Sequence, residues 1–584
     1  MKRFALFVTV VILFAFGAWA DEGHHHEDLT TDQLGTVHFP VSCAATVQKP
    51  FERGVALLHS FWYEEAEREF EEIVKVDPQC AMAHWGIAMN LWHQIWDEPT
   101  SAILKRGQLE LKEAQSLHPA TSREQDYIAA LGTFYEHPQL AHHERVIAYS
   151  VAMGNLSEHF PDDHEAAAFY ALSLLAAQGS SPKAIAILER LFGEEPNHPG
   201  VAHYLIHAYD VPGMAEQGLP AARRYAQIAP ASPHALHMPS HIFARLGLWQ
   251  EDIDSNVAAT AAAQKEVDMH MGGELDQLHA VDFLVYAYLQ SGREANAQKA
   301  IDDVRAMPST NDVYGPARLF VLSALPGSYA LELHHWSDAA SLKPLAGAAS
   351  GMQAITYIAS AIGAARMGNL DQARHDLNQL QSIVRELAKS DKEVSGGVER
   401  ELQIVIPWID HLEGKDVEAL RLLRSLADKE QGVSEANQGI PPREMLGDML
   451  LELKRPEEAF AEYVAELKMN PNRFNSLYGA GRAAELADKI DPAMLYYGRL
   501  LTICQGSNSE RRNSSPRRES RRTRCVSGHN NEQFPEVLAN FCYKIKETLH
   551  ATGVLLHDHF VRNVGVCLWP SRPIRHSDAT GSTE

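Results

Sequence analysis

Apolar and polar positions alternate along most of the chain in paired amphipathic helical stretches. From about Phe51 these pairs recur roughly every 34 to 35 residues. Repetition at that period predicts stacked helical hairpins, each too small to bury its apolar face alone. Within a hairpin, a small residue in the first helix is followed twelve positions later by a second small residue, four further on by an aromatic, and then by a proline. Gly54, Ala66, Phe70 and Pro78 satisfy this in order, as do Gly447, Ala459, Tyr463 and Pro471, and Gly481, Ala493 and Tyr497 begin another copy. Small residues let the two helices approach, the aromatic fills the gap, and proline ends the second helix. Weaker copies carry Ala361, Gly368 and Ala373, then Gly414 and Ala419, and a turn at Trp336–Ala339. About a dozen repeats fit between residues 51 and 504.

On these offsets the chain resembles the tetratricopeptide-repeat (TPR) superfamily. The segments His38–Cys43, His203–His207 and His237–His241 make it similar, more narrowly, to secreted or periplasmic TPR proteins of bacterial type that carry no assigned activity. The resemblance implies an all-α, right-handed TPR superhelix (an α-solenoid) over residues 51–504. It implies little about function.

Outside the repeats, Lys2 and Arg3 precede an apolar run from Leu6 to Gly17 and an Ala18-Trp19-Ala20 cleavage site, so residues 1–20 read as a secretory signal. The run is shorter than the roughly 20 residues a spanning helix needs. Export to the periplasm or the exterior is the expectation, with no membrane span left after cleavage. Residues 21–50, which include His24-His25-His26, form an N-terminal leader segment. Residues 505–584, with arginines from Arg511 to Arg524 and no periodicity, form a low-order tail. An oxidising destination permits pairing of Cys43 with Cys80; two free thiols are the alternative.

With 76 acidic against 52 basic residues, the formal charge is −24. Such a surface repels phosphate backbones, which argues against nucleic-acid binding and makes cations more natural ligands. Histidines supply the candidate chemistry. Placed in repeat register, His234, His237 and His241 fall at positions 2, 5 and 9 of one first helix, on one face. The preceding repeat puts His203 and His207 at positions 5 and 9, with Asp210 at position 12. The following repeat puts His279, Asp282 and Tyr286 at positions 2, 5 and 9, given an insertion of about ten residues between Lys265 and Asp276 that reads as a longer loop around Gly272-Gly273. Neighbouring first helices lie about 8–10 Å apart. His203, His207, His237, His241, His279 and Asp282 could therefore offer a mixed nitrogen and oxygen shell to zinc or another divalent transition metal. No glutamate stands in an H-E-x-x-H arrangement, so the pattern falls short of a protease signature.

A second surface, Trp85, Met89 and Trp92, falls at groove positions 5, 9 and 12 of its repeat; with Asp210, His234 and Tyr286 it forms an expected partner groove for a protein or peptide. Besides a structural adaptor in an envelope assembly, whose histidines only rigidify the solenoid, two functions follow. One is an exported TPR scaffold whose concave groove holds a protein or peptide, with a metal on the histidine patch. The alternative is a metal-dependent, hydrolase-like enzyme using the same His/Asp patch.

Overall fold

The computed structural model describes residues 29–95, 98–269, 272–307, 315–429 and 439–505. The expected signal, the His24–His26 tract and the arginine-rich tail lie outside the described residues. Among those described there are helices and turns but no strand, and no helix is long and apolar enough to cross a membrane.

Helices succeed one another as antiparallel hairpins. In the first, Gln48–His59 packs on Tyr63–Val76 across a tight turn. A Cβ on Gly54 would stand 2.8 Å from the fully buried Phe70 ring, so only glycine allows that ring to sit between the helices. Gly447 meets Tyr463 in the same way at 2.7 Å, and Gly481 meets Tyr497 at 2.6 Å. Glycine inside a helix costs about 1 kcal/mol against alanine. Burying the aromatic side chain offsets this with roughly 1.5–3 kcal/mol. The second helix of the first pair ends at Val76, two residues before Pro78.

Turns between paired helices demand left-handed backbone. Gly247 supplies it at φ 65°, while the equivalent turn of the first hairpin uses Phe61 at φ 54°. Residues 29–47, within the leader segment, pack onto the repeats. Phe39 is fully buried against Phe51, Trp85 and Tyr127, the Thr36 amide donates to the Asn197 carbonyl at 2.9 Å, and Cys43 is disulfide-bonded to Cys80.

The solenoid coils tightly enough for distant repeats to touch. Trp249 Nε1 donates to the Asn472 carbonyl at 2.8 Å. The buried Arg473 guanidinium joins Glu444, Glu332 and the Tyr286 hydroxyl, at 2.8, 2.6 and 2.9 Å respectively. At the other end, His203 on helix Pro199–Tyr209 donates through Nδ1 to the backbone carbonyl of His59, 2.8 Å away. First helices thus line the inside of the coil, and their inward side chains are packed against one another.

Candidate metal centre

Three consecutive first helices build the centre. Helix Pro199–Tyr209 starts cleanly because His198 caps it: its Nδ1 accepts the Val201 amide hydrogen at 3.2 Å, and Pro199 occupies the first turn, where no amide hydrogen is needed. The next first helix is interrupted. Pro239 lacks an amide hydrogen and crowds the carbonyl four residues back, which divides the helix into Pro233–His237 and Pro239–Leu246. His237 and His241 flank the break and still face the same side. The third, Glu274–Gln290, follows Gly272 and Gly273, both at positive φ. The expected long insertion is mostly helical: the preceding helix, Trp249–Asp268, runs 20 residues where Ala215–Ile228 runs 14.

Six histidines gather into two triads, His203/His207/His234 and His237/His241/His279, each with its ligand nitrogens within 4.8 Å of one another. Each triad takes positions 5 and 9 of one repeat and position 2 of the next. The second triad is therefore the first moved on by one repeat. Nε2 of His203 stands 3.1 Å from Nε2 of both His207 and His234, and Nε2 of His237 stands 3.1 Å from Nε2 of His241.

Outer partners decide where the protons sit. His203 Nδ1 faces a carbonyl, which can only accept, so that nitrogen donates and Nε2 is a bare lone pair in the neutral ring. His237 Nδ1 lies 2.6 Å from Asn256 Oδ1, and the Asn256 amide nitrogen is turned toward Asp252, donating to its backbone and side-chain oxygens at 3.1 and 2.7 Å. His241 Nδ1 donates to the Asp210 carboxylate at 3.0 Å. His237 and His241 therefore point two lone pairs at each other, an arrangement that hydrogen bonding between neutral rings cannot satisfy. Nitrogens about 2.0–2.1 Å from one ion at angles of 90–110° stand roughly 2.8–3.4 Å apart. The observed separation fits a shared ion, and the Nδ1 contacts are the outer-shell bonds that orient metal-binding imidazoles.

Burial keeps the rings of His203, His207, His234, His237 and His279 neutral. His207 and His279 are pushed down to about 3 by desolvation, with neighbouring imidazoles adding to it. His203, His234 and His237 lie well below the ordinary histidine value for the same reasons. Burial alone would raise Asp210, but Arg245, on its other oxygen, and His241 outweigh that and hold it below the usual carboxylate value. His203, His234 and His237 are buried, whereas His207, His241 and His279 are partly open to solvent.

Several expected placements are corrected. His234 belongs to the first triad, not to a partner groove. Asp282, half-buried on helix Glu274–Gln290, is in neither triad. It and Tyr286 stand at positions 5 and 9, where a further triad would begin, but the Tyr286 hydroxyl is taken by Arg473. Asp210 orients His241 instead of lining a groove. Trp85, Met89 and Trp92 are each about 1 % exposed. Trp92 stacks on Phe134 at 3.7 Å and Trp85 packs edge-on to Phe169, so their faces are already used and no aromatic groove exists there.

His59 lies in a third buried group, with Glu165 and His198. Glu165 accepts from His59 Nε2 at 2.8 Å and from His198 Nε2 at 3.0 Å, while His59 Nδ1 pairs with the Tyr204 hydroxyl at 2.8 Å. Burial would raise Glu165, yet the two imidazoles hold it far below its usual value. Every polar atom of this group has a partner, so it braces the carbonyl that orients His203.

Neither a protein-family model nor a curated protein matches the sequence. Among solved structures, the human IFIT1 dimer with m7Gppp-AAAA is similar at 13% identity, covering 72% of this chain and 90% of that one with a TM-score of 0.35. The P58(IPK) TPR domain is similar at 13% identity over 76% of this chain and 99% of its own, with a TM-score of 0.21. Superpositions this loose say nothing about ligands. By their own repeat geometry, the described residues form an all-α superhelix of TPR-type helical hairpins.

Proposed function

We propose that the protein is an exported helical-repeat scaffold that holds transition-metal ions at the two histidine triads. One observation carries this reading: the facing Nε2 lone pairs of His237 and His241, 3.1 Å apart, with both Nδ1 atoms committed to outer partners. Two neutral rings so fixed repel unless a cation lies between them. The repetition of the same three register positions one repeat earlier supports a pair of sites. Export is supported by the signal-like N-terminus and by the Cys43–Cys80 disulfide, which persists in oxidising compartments. A protein or peptide partner is the general use of solenoid surfaces; it would engage the outer faces of the repeats, since Trp85, Met89 and Trp92 are enclosed.

The test is elemental analysis of the mature chain after chelator stripping and equilibration with zinc, copper, nickel or cobalt. Wild type should retain metal in proportion to its triads. A His237→Ala, His241→Ala double variant of unchanged helicity should lose the second site and keep the first. Absence of tightly held metal from the folded wild type would overturn the reading.

A further inference from the structure

We infer that the turn at Pro471–Arg473 is a clamp on the second triad: its docking and the binding of an ion tie together the same two helices, so each strengthens the other. This rests on the metal-binding reading above and adds a linkage between the second site and the C-terminal repeats.

The turn joins helices Pro456–Met469 and Phe474–Leu486, far along the chain from the triads. It first meets the segment that follows His241. The Asn472 carbonyl accepts from Trp249 Nε1 at 2.8 Å, and Asn472 Nδ2 donates to the Gly247 carbonyl at 3.2 Å. Gly247 ends the helix that carries His241, Pro239–Leu246. A Cβ on Gly247 would stand 2.1 Å from the Pro471 carbonyl oxygen, so the two backbones are in direct contact and only glycine admits the turn.

The same turn then grips the helix that carries His279, Glu274–Gln290. Arg473 Nη1 donates to the Tyr286 hydroxyl at 2.9 Å, and the Phe474 amide donates to Gln290 Oε1 at 2.9 Å. Packing joins clamp and triad as well. Phe283 lies 5.0, 4.6 and 5.6 Å, centroid to centroid, from His237, His241 and His279. It belongs to one buried cluster with Ala244, Trp249 and Tyr286, against which Ile503 of the last helix packs.

An ion held by His241 and His279, and a clamp held by Gly247 and Tyr286, therefore select one spacing of the same helix pair. Two ligands that favour one conformation of a shared element are coupled, and the coupling is reciprocal. The docking surface is charged: Arg473 is buried with Glu332 and Glu444, and desolvation of buried ions offsets much of their attraction. Docking of that kind leaves room for one bound ion to shift it. The first triad is held from the other end of the chain. The His59 carbonyl orients His203, and Phe61 lies 4.4, 5.9 and 5.7 Å from the rings of His203, His207 and His234.

The experiment is hydrogen exchange, read by mass spectrometry on peptides spanning residues 471–477 of the full chain. Stripped protein is compared with protein loaded with whichever of zinc, copper, nickel and cobalt it retains. Loading should slow exchange there by about 5–150-fold, and the His237→Ala, His241→Ala variant should lose this response while keeping its first site. In the reciprocal measurement, Arg473→Met should lower the affinity of the second triad by a factor in the same range and leave the first unchanged. Trp249→Phe, which deletes only the indole donor to Asn472, should lower it less. Circular dichroism confirms the fold; should Arg473→Met unfold, the exchange comparison and Trp249→Phe decide. Identical exchange in stripped and loaded protein, or equal weakening of both triads in a folded clamp variant, would overturn this inference and leave the metal-binding reading intact. Failure of the folded wild type to hold any of the four metals would overturn both.

Discussion

Asn256 fixes His237: its side-chain oxygen accepts from Nδ1 at 2.6 Å, and its amide nitrogen is anchored on Asp252, so the imidazole can neither rotate nor change tautomer. The bare Nε2 is thereby aimed at His241. Replacing Asn256 with alanine removes no candidate ligand, yet it should weaken metal binding at the second triad by about 10–100-fold. Competitive titration against a chelator of known affinity measures this, and the first triad serves as the internal control.

Acid should destabilise the metal-free protein. In the folded chain His207 and His279 take up protons only near pH 3, whereas unfolded histidine does so near 6.5. Between those values the unfolded state binds more protons, so stability is fully present above about pH 6.5 and falls as the pH drops toward 3. Thermal melts of stripped protein from pH 7.5 to 4 should show a falling midpoint. A His207→Asn, His279→Asn variant should show a shallower fall.

The repeat packing makes opposite predictions for two glycines. A Cβ at Gly447 would press on the buried Tyr463 ring, so Gly447→Val should cost about 1–3 kcal/mol or more through overpacking. Gly193 lies exposed within helix Pro182–Glu194 with nothing within 4 Å of its would-be Cβ. Gly193→Ala should stabilise by about 0.4–1 kcal/mol through the unfolded state. Denaturant midpoints on both variants check the pair.

Much of this was legible in the sequence because it is local. The offsets Gly54–Ala66–Phe70 encode a steric fit within one hairpin, and His203/His207 or His237/His241 share a face by helical spacing alone. The triads were harder to read because each crosses a repeat boundary; His234 and His279 occupy the same register position, and that equivalence was the available signal. Trp85 and Trp92 read as a groove because nothing local says that Phe39 and Phe134 will cover them. Contacts set by superhelical coiling, such as His203 to the His59 carbonyl across 144 residues, leave no local trace at all.

Reduction of the Cys43–Cys80 bridge should loosen the N-terminal hairpin. Opening a loop of 37 residues removes about 4 kcal/mol of unfolded-state constraint. Native and reduced protein, or a Cys43→Ser, Cys80→Ser variant, should differ by an amount of that order in denaturant unfolding of the N-terminal repeats. The Phe61 contact to the first triad should weaken with them, lowering metal affinity there more than at the second triad.

The most direct test of the paired-site account is anomalous diffraction from crystals of the metal-loaded chain, collected on both sides of the metal's absorption edge. The account predicts one anomalous peak in each triad, about 2.0–2.1 Å from one ring nitrogen of each of its three histidines, with His203, His237 and His241 still donating through Nδ1 to His59, Asn256 and Asp210. Crystals of loaded protein with no peak at either triad, or with metal held only at surface carboxylates, would contradict it.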